Sequence, residues 1–120
     1  MSTRIIIGNL AADPEAATAG KATLAKFTVI ENTGEYRKGE FVADDTPTSH
    51  HVEAWFDLGV NVLASLVKGT RVVVVGAEHT ESYNKDGQTV FRRILKAASV
   101  APDLAYARAT VTSVPRETSN

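Results

Sequence analysis

The side chains best suited to chemistry in this chain are its single tryptophan, its three histidines and a dispersed set of arginines and lysines. Trp55 ends an alternating stretch, about Thr48–Phe56. Val52, Ala54 and Phe56 share one face of it, and His51, Glu53 and Trp55 share the other. A large aromatic on the polar side of a half-buried strand suits stacking on a nucleobase, worth roughly 1–3 kcal/mol per base, or a contact between subunits. Tyr83 flanks a turn, where its hydroxyl can stay wet and its ring can serve structure or a ligand. Tyr36 and Phe41 lie in a polar connection and are further aromatic candidates.

Cations must accompany stacking rings if the ligand carries phosphates. Lys26, Arg37, Lys38, Arg71, Lys85 and either Arg92 or Arg93 are the candidates for that role. Arg92 and Arg93 are adjacent on a strand and face opposite ways, so at most one lines a given groove. The same rule bears on His50-His51, which with Asp44, Asp45 and His79 resembles a metal-ligand set. Neighbouring strand residues cannot both ligate one ion without a bulge, so no metal is expected. There is no nucleophile–base pair, P-loop or dinucleotide glycine pattern, hence no catalytic residue and no cofactor. A metal-dependent nuclease at His50 and Asp44 is the enzymatic rival to a binding protein.

These residues need a scaffold, and 120 residues with 43% apolar content supply one domain with a core. The absence of cysteine excludes disulfide frameworks and cysteine-bound zinc and fits a reducing cytoplasm. No apolar run is long enough to cross a bilayer, and no signal-peptide pattern opens the chain. A net charge of −1 counts mildly against a nucleic-acid binder, but the charges cluster. Arg92, Arg93 and Lys96 gather late, whereas Glu31, Glu35, Glu40, Asp44 and Asp45 crowd the middle.

Five strands are expected, at about 4–10, 23–32, 48–56, 71–83 and 89–100. Between the third and fourth, Leu58, Val62, Leu63 and Leu66 form a helical stripe, with Asp57 as N-cap, Lys68 in the last turn and Gly69 at the C-cap. Ala11 to Lys21 reads as a loop, with Asp13-Pro14-Glu15 able to start a short helical turn. Gly8 suits a bend at the end of the first strand. Residues 31–47 read as a long polar hairpin, and Asn84–Gly87 as a tight one. Three strands, a short helix and two strands describe an all-β, five-stranded Greek-key barrel of the oligonucleotide/oligosaccharide-binding (OB) type. The domain runs over 1–111, with 112–120 a polar flexible tail. Ile5-Ile6-Ile7, apolar on both faces, is the candidate subunit contact.

Several segments resemble the bacterial single-stranded DNA-binding protein family. They are Gly8-Asn9-Leu10 with Asp13-Pro14-Glu15, Lys26-Phe27-Thr28-Val29, Asn61–Gly69 running into Arg71–Gly76, and Tyr83 to Gly87. Residues 101–111, with Asp103-Leu104-Ala105-Tyr106-Ala107 followed by Arg108-Ala109-Thr110-Val111, resemble an additional C-terminal strand of the actinobacterial branch, which clasps a neighbouring subunit. The resemblance implies sequence-independent binding of single strands by a cytoplasmic homotetramer in replication, recombination and repair, in a bacterium or a virus replicating in one. It places Trp55 and Tyr83 at stacking positions and Tyr36 near a third. Two features depart from the pattern. Ser49 stands where many members have an aromatic, and the chain reaches Asn120 without the acidic tail tip that recruits partner enzymes. With the acidic 31–45 connection, these departures leave open an oligomeric OB module with weak or lost strand binding.

Overall fold

The computed structural model describes residues 2–31, 34–43 and 47–115, and the side chains of 34–37 and 43 lie outside that description. Strand β1 (Ser2–Leu10) is followed by β2 (Glu15–Ala19), β3 (Ala22–Glu31), β4 (Gly34–Arg37), β5 (Glu40–Ala43) and β6 (Thr48–Trp55). Helix α1 (Phe56–Ser65) then leads to β7 (Arg71–Lys85) and β8 (Gln88–Pro102). Five of these strands run β1-β7-β8-β6-β3, and β3 returns to β1 through Asn9–Ile30 and Leu10–Val29, closing a barrel. All its pairings are antiparallel except β6 with β8. This is the OB architecture expected from the sequence, with the helix in the expected place.

Alternation explains why these segments are strands and which side they bury. Ala25, Phe27 and Val29 of β3, Val52 and Ala54 of β6, and Val72 and Val74 of β7 point into one core. Val62 of α1 and Leu66, the residue that caps the helix, plug its end. Burial of a ring such as Phe27 contributes about 2–3 kcal/mol, so this alternation outweighs local propensity. Ile6 is also in the core, at 1% exposure, which removes it from the predicted subunit contact. Ile5 and Ile7 face outward, at 65% and 41%.

Several local expectations are corrected. The 11–21 segment is not a loop with a helical turn: Glu15–Ala19 pairs with Ala22–Lys26 as an extra hairpin. Asp13 caps nothing at Pro14; its Oδ1 accepts from the Lys68 N–H at 2.8 Å, tying this segment to the α1–β7 connection. Gly8 does not bend the chain, and β1 continues to Leu10. A Cβ there would lie 2.3 Å from the Ile30 carbonyl oxygen, so the missing side chain lets β3 approach.

Helix α1 begins earlier and ends earlier than its expected caps. Trp55 is the N-cap residue and no side chain caps the helix, with Asp57 inside the first turn. The helix stops at Ser65, so Lys68 and Gly69 belong to the turn beyond it. Phe56 leaves the inward face because the strand ends one residue before it. Its φ of +59° turns the ring outward, to 61% exposure.

The 31–47 connection contains the β4–β5 ribbon, closed at Lys38-Gly39, as Asp86-Gly87 closes β7–β8. The strand expected at 101–111 ends at Pro102 as the tail of β8, and residues 107–115 have no strand pairing among the described residues. The edge of β7 next to this segment is occupied, since β7 pairs with β8 as far as Pro102. The tail residues 116–120, like Asp44 and Asp45, lie outside the described residues.

Candidate nucleic-acid interface

Strand parity assembles one outward face across β3, β6, β8 and β7. Thr28 pairs with His51 and Lys26 with Glu53, and His51 and Glu53 pair in turn with Ile94 and Lys96. His79, Glu81 and Tyr83 continue the face opposite Ile94, Arg92 and Val90. A groove of about 210 Å³ crosses it, walled by Ala11–Asp13 and Glu15 and lined by Lys26, Thr28, His51, Glu53 and Arg92. Ile94 forms its apolar floor, at 2% exposure.

Two aromatic–cation pairs flank this groove. The Arg92 guanidinium lies 5.8 Å from the Tyr83 ring centroid, and the Lys96 ammonium 5.7 Å from that of Trp55. A cation near a ring face adds about 0.5–1 kcal/mol at exposed sites and keeps the long side chain in place. Trp55 is half-buried, packed opposite Leu24, with Phe56 at a centroid distance of 6.1 Å and a tilt of 48°. Among the described residues its indole N–H is buried without a hydrogen-bond partner, which costs about 1–3 kcal/mol. The indole is therefore less open than its strand position alone implies, and the exposed aromatic surface beside it belongs to Phe56.

Carboxylates interleave with these cations. Glu81 Oε1 accepts from Arg92 Nη2 at 3.5 Å. Glu53 stands in register between Lys26 and Lys96, and Glu15 pairs with Lys26 along β2. The positive potential of the face is correspondingly modest.

The remaining candidates are placed elsewhere. Arg93 faces the opposite side of β8 and reaches Glu78 at 3.8 Å, so Arg92 is the arginine that lines the groove. Arg71 lies off the groove, donating from Nε to Asp103 Oδ2 at 2.8 Å, with its guanidinium 5.8 Å from the Tyr106 centroid. That hydrogen bond, helped by the Ala105 N–H, holds the Asp103 carboxyl below its usual 3.8. Lys85 sits at the end of the β7–β8 hairpin, and Lys38 in the β4–β5 turn with φ +52°. Tyr36 and Arg37 lie on β4, but their side chains are outside the described residues. Ser49 is exposed beside the face. His50 and His51 point to opposite sides, one to Glu31 at 3.1 Å and the other to Thr28 at 3.4 Å. Among the described residues no three metal-ligating side chains gather.

A closed OB barrel with an aromatic and cationic outer face narrows the field, and comparison with known proteins decides it. Residues 1–102 match the family model for the single-strand binding protein family. The chain belongs to that family. The family's single-stranded DNA-binding protein from Paenarthrobacter aurescens is 32% identical over 118 residues, covering 96% of this chain and 69% of that one. The corresponding Bifidobacterium longum protein is 34% identical, covering 89% of this chain and 50% of that one. Among solved structures, the small single-stranded DNA-binding protein from Streptomyces coelicolor shares the fold, with a TM-score of 0.77, 22% identity and coverage of 88% and 97%. The second single-stranded DNA-binding protein from Mycobacterium smegmatis has a TM-score of 0.67, 28% identity and coverage of 93% and 98%.

Two members of the site escape a reading of sequence alone. Phe56 is hidden because strand alternation assigns it inward, and only the strand-to-helix switch reverses it. Lys96 was legible in part, since counting in twos from Arg92 through Ile94 brings it to the same face.

Proposed function

We propose that this chain binds single-stranded DNA without sequence preference, along the outer face of β3, β6, β8 and β7. One observation carries the reading: Trp55 with Lys96 and Tyr83 with Arg92 bracket a single groove on one side of the sheet. Bases stack on Trp55, Phe56 and Tyr83, while Lys26, Arg92 and Lys96 take the place of counterions along the phosphates. Nothing in this scheme requires bond chemistry or a cofactor; the protein acts by covering the strand. Family membership supports a role in protecting single strands during replication, recombination and repair.

Assembly follows from the other outward face. Ile5 and Ile7 of β1 pair with Val75 and Val73 of β7 to form an aliphatic patch suited to a second copy, consistent with a homotetramer. Linking several weak sites in one assembly raises affinity without any new contact type.

Glu15, Glu53 and Glu81 favour a second reading, an oligomeric module whose strand binding is weak. Titration of the full chain with oligo-dT, followed by Trp55 fluorescence, separates the two. Binding quenches the indole and weakens with salt, at a slope of about −2 per chain if three cations each neutralise a phosphate. An unchanged spectrum at low salt overturns the proposal and leaves the module.

A further inference from the structure

The β7–β8 ribbon has two faces, and the groove uses only one. Beyond Glu78 on β7 and Ile94 on β8 the ribbon leaves the barrel, because pairing with β1 ends at Glu78 and pairing with β6 begins at Ile94. The face opposite Tyr83 and Arg92 is the core side of the barrel carried outward: Leu95, then Arg93, then Phe91. Phe91 is 70% exposed, with Ser82 as its cross-strand partner. Arg93 follows two residues along on the same face, its side chain 75% exposed.

Charge separates this surface from the groove. Glu78 Oε1 is shared by Arg4 Nη1 at 3.5 Å and Arg93 Nη1 at 3.8 Å, so one carboxylate faces two guanidinium groups. These three side chains line a pocket of about 180 Å³ with Thr48, Ser49 and His50. His50 is held by Glu31 at 3.1 Å, a second carboxylate among the described residues on this side. Ser82, Thr80 and Thr89 complete the face without adding negative charge. Among the described residues it therefore has an exposed ring beside arginine, as the groove has, with Glu78 and Glu31 as its carboxylates where the groove has Glu15, Glu53 and Glu81.

We infer that this core-side face of the ribbon is a second contact surface for a single nucleic-acid strand, with a base on Phe91 and phosphates on Arg93 and Arg4. It rests on the strand binding proposed above and extends it. A strand leaving Tyr83 rounds the free edge of β8 at residues 88–93 and returns along the other side. The ribbon then works as a post around which the strand turns, and each chain covers more nucleotides than its groove alone.

The test uses the full chain with labelled oligo-dT of two lengths, about 8 and about 35 nucleotides, chosen to fill one OB groove or to run past it. Phe91→Ala is expected to weaken binding of the longer strand about tenfold, the loss of one stacked base, and the shorter strand at most about twofold. Arg93→Gln is expected to lower the salt slope on the longer strand by about 0.7. Ultraviolet cross-linking of the wild-type chain to the longer strand should then label the peptide containing Phe91. Equal affinity of wild type and Phe91→Ala for both lengths, with no label at Phe91, overturns the inference while leaving the groove intact. A fall in solution mass on Phe91→Ala also overturns it, assigning the ring to a contact between copies. Failure of the wild-type chain to bind either length removes the proposed function and this surface together.

Discussion

Two outward faces of the same barrel share one strand, β7, and carry opposite chemistry. Around β1 and the first half of β7, odd-numbered positions give Ile5, Ile7, Val73 and Val75, an aliphatic surface without charge. Past the register shift at Val75/Gly76, odd positions of β7 give His79, Glu81 and Tyr83, facing Ile94, Arg92 and Val90. One strand thus serves two surfaces in succession. Their difference divides the outward residues into two chemistries, each suited to a different kind of partner. An aliphatic face fits another apolar face, whereas rings interleaved with cations fit a polyanion with planar bases.

The sharpest way to break that contrast is to charge the aliphatic face. Ile5→Glu with Ile7→Glu is expected to lower the solution mass towards the single chain, by several kcal/mol per contact, since each isoleucine contributes about 1.5–3 kcal/mol when buried. Light scattering reads this, and circular dichroism should stay unchanged because neither side chain enters the core. Next, Trp55→Ala should weaken oligo-dT binding by about 1–3 kcal/mol at constant mass. A mass change instead would give Trp55 to the assembly.

Phe56→Gly separates stability from binding at one residue. Relief of the left-handed backbone should raise unfolding free energy by about 1 kcal/mol in urea titration, while loss of the ring weakens the strand complex. Arg92→Ala should reduce the salt slope by about 0.7 and affinity a few-fold, whereas Arg71→Ala, off the groove, should leave the slope unchanged.

The smallest effect concerns pH. Asp103 has its carboxyl pKa depressed by Arg71, so the contribution of this pair is complete above the ordinary value of 3.8. It is lost as pH falls through the lower folded value. Nuclear magnetic resonance of residues 103–107 should therefore show the tether intact at pH 5 and released only in stronger acid.

Much of this was legible in the sequence, for a physical reason. Alternation in Lys26–Val29 and His51–Trp55, the stripe through Val62 and Leu66, and Asp86-Gly87 each encode local geometry directly, and together they specify the barrel. The β2 strand was hidden because Glu15–Ala19 is mostly alanine, whose small side chains give little alternating signal. Ile6 could not be separated from Ile5 and Ile7 by type, since only the barrel's curvature decides which side of an all-isoleucine run is inside. Phe56 was misplaced because Asp57, read as the N-cap, set the strand-to-helix switch two residues beyond Trp55, where it occurs. Arg71 was misassigned because its partner, Asp103, lies 32 residues away. The groove's composition was readable, but the convergence of Lys96 on Trp55 and Arg92 on Tyr83 depends on the parallel and antiparallel registers of β8.

The join between β1 and β3 is the shortest in the hoop among the described residues, two residue pairs against three between β6 and β8. It is fastened by two residue pairs, Asn9–Ile30 and Leu10–Val29, whereas β1 and β3 are each held along most of their length on the other side. Such a hoop has a built-in clasp, so thermal breathing starts there and the rest of the ring stays laced. The amide proton of Ala11, which donates across that gap to Thr28, is then the first in the barrel wall to exchange with solvent.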